Sequence, residues 1–219
     1  AARNNRLAAG HGDTAVPVLF MRLRDGRLLS YTAEINAYLA QAVPAYEMQM
    51  VQRVVGARAP HDQPYKFLYP FEIEDADIFF GREAATQACY RKVCADCLTV
   101  LHAKSGAGKT SLLHAGLAPR LLREGRLPVY ARAYHDPVLA IKRAIAPPPW
   151  PEGLSDLPLA AFLHHVCTHL SRQTQELVII LDQFEESFIF WPDPSQRQAL
   201  VEALADWYAN KSLAVRFVI

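Results

Sequence analysis

The run Ala103-Lys104-Ser105-Gly106-Ala107-Gly108-Lys109-Thr110-Ser111 carries the residue types that grip phosphate, and Asp182, Glu185 and Glu186 close an apolar stretch further along the chain. Glycines let a backbone curl so that successive N–H groups point at phosphate oxygens, and a following helix adds its positive N-terminal end. On this pattern Ser105, Gly106, Ala107, Gly108 and Ser111 form the cradle, and Lys109 reaches the β- and γ-phosphates. The Thr110 hydroxyl coordinates Mg²⁺. The first consensus glycine of such a loop is here Ala103, at the point where a strand would leave for the turn.

A phosphate loop needs an acid on a second strand. The segment Leu177-Val178-Ile179-Ile180-Leu181-Asp182-Gln183-Phe184-Glu185-Glu186 supplies one in the Walker B pattern. Its apolar residues predict a strand buried beside the loop's own strand, delivering Asp182 at its C-terminal edge to hold Mg²⁺ with Thr110. Glu186 is the expected base that orients or deprotonates an attacking water, with Glu185 as a metal partner or its support. The expected catalytic set is therefore Lys109, Asp182, Glu185 and Glu186.

The surrounding elements suit that task. Glu83 to Ala95 predicts a helix, Cys97 to His102 a buried strand, and Lys109 to Arg123 the helix behind the loop. Leu127 to Ala133 predicts a strand, Pro137 to Ala146 and Leu157 to Leu170 helices, Ser195 to Tyr208 a helix, and Leu213 to Ile219 a last strand. Alternation of this kind means a three-layer α/β fold around a mainly parallel sheet. Before it, residues 1–62 form an N-terminal segment of unassigned fold. There Val16 to Met21 reads as a strand, Asp25-Gly26 as a turn, and Thr32 to Val55 as a helix or two broken at Pro44. Ala59 to Pro64 reads as a linker, so the nucleotide-binding domain is expected over 63–219.

Composition excludes several classes. A formal charge of +1 on 219 residues gives no general electrostatic grip on nucleic acid or an anionic membrane. No apolar run reaches the roughly 18 residues that span a bilayer. Four cysteines build no disulfide framework, which points to a reducing, cytoplasmic setting. The Cys94-x-x-Cys97 spacing lacks a second ligand pair, and His165 and His169, one helical turn apart, lack the glutamate of a metalloprotease helix. With neither an initiator Met nor a signal core at its start, and a bare strand at its end, the chain reads as an excerpt of something longer.

Three blocks in order carry a resemblance: Pro64 to Phe71 with Glu74 to Glu83, the loop with Leu112-Leu113-His114-Ala115-Gly116-Leu117-Ala118-Pro119, and Leu181 to Glu186. Over about residues 64–219 they resemble the novel STAND NTPases of bacteria, relatives of the NACHT and apoptosome-type ATPases. Ala103 and Phe67, the latter where the family often shows Gly, depart from the pattern. The resemblance implies a P-loop ATPase serving as a signalling switch, ADP-bound at rest and ATP-bound and self-associated when active, with defence among its implied roles. It implies that Phe79, Phe80, Gly81 and Arg82 line an adenine pocket, the two rings sandwiching the purine. A winged-helix domain and a sensor are expected beyond residue 219. Two other readings remain open: a phosphotransferase acting on a small molecule, less suited to acids that activate water, and a non-hydrolysing scaffold that only holds nucleotide.

Overall fold

In the computed structural model, residues 27–56, 66–132, 136–186, 194–209 and 213–219 are described. The strand expected at Val16 to Met21, the turn at Asp25-Gly26 and the whole Ala59 to Pro64 linker lie outside them. Four strands build one parallel sheet: β1 (Leu98–Thr99), β2 (Arg126–Arg132), β3 (Glu176–Asp182) and β4 (Val215–Val218), in the order β1-β4-β3-β2. Around it run α1 (Arg27–Gly56), α2 (Glu83–Ala95), α3 (109–123) behind the phosphate loop, α4 (Pro137–Ile145), α5 (Leu159–Thr168) and α6 (Pro194–Ala209).

The unbroken apolar run of β3 does what such a run predicts, being buried from Leu177 to Asp182. Its side chains alternate between two cores. Leu177, Ile179 and Leu181 join a cluster that includes residues of α1, α4, α5 and α6, whereas Val178 and Ile180 pack with residues of α2 and α3. Helices on both faces make the expected three-layer α/β arrangement.

Two expectations need correction. The strand leading into the phosphate loop is not buried: Val100 is 67% exposed and Leu98 39%. Being the sheet's edge, it bonds on one side only, with Phe217 N–H donating to Cys97 O (2.8 Å) and Leu101 N–H to Ile219 O (2.7 Å). Nor does β3 adjoin it, because β4 lies between. The acid therefore reaches the loop across one intervening strand.

Helix α1 continues through Pro44 without a break. Pro44 is exposed, and Val43, Leu39 and Ile35 beside it are buried against the sheet's helices, so packing holds a helix that the proline by itself would weaken. Polar contacts pin it further. Tyr46 Oη donates to Pro128 O at 2.9 Å, and the buried Glu47 carboxylate accepts from Ser171 N–H at 3.2 Å. No helix among the described residues is long and apolar enough to cross a membrane.

Two charged groups are built into this frame. Lys142 on α4 is 1% exposed, and its ammonium donates to the carbonyls of Leu154 (3.1 Å), Ser155 (2.8 Å) and Leu157 (2.5 Å), fixing the turn before α5. Burial lowers its pKa. At the opposite end of the strands Glu176 accepts from Arg216 at both oxygens (2.9 Å each) and from Arg126 (2.8 Å), tying β2, β3 and β4 together. The Arg216 hydrogen bonds, joined by Arg126 and outweighing burial, hold the Glu176 carboxyl below the usual carboxylate range. A carboxylate depressed in the folded state stabilises above its unfolded pKa, and that stabilisation is lost as pH falls through the folded pKa. Glu176→Gln should therefore cost about 1 to 2 kcal/mol at neutral pH and flatten the loss of stability below the usual carboxylate pKa, measured as denaturant midpoints against pH.

Candidate functional site

The phosphate loop joins β1 to α3. Gly106 and Gly108 sit at φ 75° and 79°, the left-handed region that a side chain resists, and such residues let consecutive amides turn to one side. Gly108 is the residue from which α3 starts: an α-helical turn Lys109–Ser111, a π-helical stretch Leu112–Leu117 and a further α-helical piece Ala118–Arg123. No residue type in this stretch signals the wider middle. Its Leu113 carbonyl accepts from the hydroxyl of the half-buried Tyr130 at 2.6 Å. Within it Gly116 has no room for a side chain, since a Cβ would stand 2.6 Å from Thr86 Oγ1 and 3.3 Å from the Phe79 ring.

Across from the loop, β3 ends in Asp182, 5% exposed. The chain then turns off the strand through Gln183 at φ 58°, a conformation a non-glycine residue adopts at some cost, into a 3₁₀ turn Phe184–Glu186. Gln183 N–H donates to Asp182 Oδ1 at 3.0 Å, and the other carboxylate oxygen accepts from the Thr110 hydroxyl at 2.9 Å. Lys109 Nζ donates to Ala103 O at 3.2 Å and pairs with Glu185 at 3.1 Å. The Glu185 carboxyl is held below its usual range by its own backbone N–H first and by Lys109 after it, against the opposing effect of desolvation. One oxygen of Glu186 is buried and has no hydrogen-bond partner among the described residues. Lys109, Thr110, Asp182 and Glu185 thus meet at the C-terminal edge of the strands, and Glu186 follows in the same 3₁₀ turn.

The upstream residues divide. Arg82 donates to Ala107 O at 3.2 Å and so clasps the loop, and Gly81, at φ 79°, makes the turn before α2. Phe79 turns inward, 5.5 Å from the Phe71 ring, while Phe80 is 76% exposed. The two rings diverge rather than forming a facing pair. Ser105 and Gly106 are exposed, whereas the Ser111 hydroxyl accepts from Phe71 N–H at 3.1 Å and faces the entry segment. Phe67 stands at φ 51° and is 96% exposed, which gives a physical reason for glycine at that place in the resembled family.

Other clusters do not offer phosphate chemistry. A cleft of about 480 Å³ between α4 and α6 is lined by Asp136, Asp156, Glu202 and Asp206, and its only lysine, Lys142, already donates to three carbonyls. The four cysteines are free thiols, with burial pushing Cys167 up to about 11. No group of three or more metal-ligating side chains occurs among the described residues. Hard oxygen donors at Thr110 and Asp182 fit Mg²⁺, which takes few protein ligands and keeps water and phosphate for the rest.

The family model described as Novel STAND NTPase 1 matches residues 64–219. The chain belongs to this family. As a STAND NTPase it is a nucleotide-binding module of a class with nucleotide-hydrolase activity, and its all-parallel sheet is the α/β fold that class requires. No curated protein and no solved structure matches the chain. Sequence reasoning about the STAND domain assigned no role to Gln183, although it lies within the Walker B segment, and missed Glu72, which binds His114 on α3 (2.6 Å) from a position outside the recognised blocks.

Proposed function

We propose that the chain is an ATP-binding, slowly hydrolysing, Mg²⁺-dependent switch within a larger bacterial receptor. The observation that carries this reading is the 2.9 Å contact between Thr110 Oγ1 and Asp182 Oδ2, which brings the start of the loop helix to the acid of β3. Thr110 and Asp182 would hold the ion. Mg²⁺, when bound, would supply positive charge that offsets the negative charge of the phosphates. The amides of Ser105 to Thr110 cradle the phosphates, and Lys109 exchanges Glu185 for the β- and γ-phosphate oxygens. Released from Lys109, Glu185 supports the metal or its water. Glu186, with one carboxylate oxygen unpartnered, accepts a proton from the attacking water. Arg82 ties the nucleotide's arrival at the loop to the Phe79 to Arg82 segment, on whose side the adenine is read.

Hydrolysis in this reading resets a conformation, since contacts to the γ-phosphate order flanking segments and their loss releases them. Self-association through the NTPase surface, the adenine preference and a defence role come from the family likeness. The test is the nucleotide content of the purified chain, released by denaturation and identified by chromatography. Co-purified ADP, or binding of added Mg-ATP, is expected; neither, in a folded chain, refutes the reading.

A further inference from the structure

Helix α1 is bolted to the sheet's far side by Tyr46 and Glu47, yet its last turns reach the other way, toward the phosphate loop. Arg53 forms a two-point ion pair with Glu74 (2.5 and 3.1 Å), and one of its nitrogens lies 4.0 Å from Glu72 Oε2. That same Glu72 oxygen is 2.6 Å from His114 Nδ1, on the π-helical stretch of α3. His114 in turn packs against Tyr130, the ring centroids 4.0 Å apart and the planes tilted by 44°, and the Tyr130 hydroxyl donates to the Leu113 carbonyl. Glu72 is itself fixed, its N–H donating to the buried Asp75 carboxylate at 2.7 Å. Its neighbour Phe71 donates to Ser111. Residues 71 and 72 therefore touch α3 at two successive turns, directly behind the lysine and threonine of the loop.

We propose that Glu72 is a positioning residue that couples α1 to the phosphate loop by bridging Arg53 to His114. The inference rests on the nucleotide-switch reading above. Nucleotide entering the loop must take Lys109 from Ala103 O and Glu185, and the Thr110 hydroxyl from Asp182, so the first turn of α3 changes partners. The π-helical stretch that follows has one carbonyl held by Tyr130, and π segments sit often at functional sites because they can shift register. A shift there moves His114, which Glu72 passes to Arg53. Coupling of this kind is reciprocal: whatever draws α1 away weakens nucleotide binding by the factor that nucleotide tightens α1.

The test uses the full chain and Mg-ADP, with affinities by titration calorimetry for the wild type, Arg53→Ala, Glu72→Gln and the double variant. Each single change should weaken binding roughly 3- to 10-fold although neither residue touches the loop, and the double should be no worse than the weaker single, because both break one bridge. In the wild type, Mg-ADP should slow amide exchange of residues 49–56, and in Glu72→Gln it should not. A merely structural role would lower thermal stability and leave the nucleotide-dependent exchange unmoved. Affinities within about twofold of wild type would overturn the coupling. So would wild-type exchange in 49–56 that ignores Mg-ADP, a result that needs no variant to fold. A folded wild type that binds no Mg-nucleotide overturns the switch reading together with this one.

Discussion

Lys109→Ala is expected to weaken Mg-ATP binding roughly 30-fold to several thousand-fold. The Lys109 side chain is 20% exposed, and its ammonium lies between Ala103 O and Glu185, beside the loop expected to cradle the phosphates. Removing one partner of a desolvated charge pair costs about 2 to 5 kcal/mol, and each 1.4 kcal/mol is tenfold in affinity. Folding should suffer little. In the absence of nucleotide Lys109 pairs with a Glu185 side chain that is 61% exposed, and ion pairs in such a setting contribute little. Titration calorimetry beside a thermal melt separates the two effects. Unchanged affinity in a folded variant would remove the phosphate-binding assignment altogether.

Glu186→Gln should leave Mg-ATP affinity within about threefold and slow hydrolysis roughly 10²- to 10⁴-fold, the range contributed by a positioned general base. The two candidate acids differ in what they already hold. Glu185 is engaged by Lys109, whereas one oxygen of Glu186 is buried without a partner among the described residues. A buried unpaired carboxylate oxygen is costly, and such groups persist where function uses them. Glutamine keeps the shape and removes the basicity, so single-turnover rates report the proton transfer directly. An equal loss from Glu185→Gln alone would move the base to that residue.

The candidate phosphate loop was legible because its geometry is local. Gly106, Gly108, Lys109 and Thr110 are consecutive enough that one loop and one helix start fix their geometry, and five apolar residues before Asp182 require a buried strand whatever surrounds it. Alternating strands and helices likewise determined the three-layer α/β class.

Tertiary structure alone decided which strands are neighbours. Each of two apolar strands could have sat beside β1, and only the pairing of Leu98 with Phe217 puts β4 there and leaves β1 at an exposed edge. The continuity of α1 through Pro44 was decided the same way, by burial of Ile35, Leu39, Val43 and Met50 against distant elements. Phe79 and Phe80 are adjacent and chemically alike, yet one packs against Phe71 and the other faces solvent. The bridge from Arg53 through Glu72 to His114 joins three charged or polar residues far apart in sequence. No periodicity encodes a contact of that separation, because its partners meet only once the fold has brought α1 and α3 to the same short segment around Glu72.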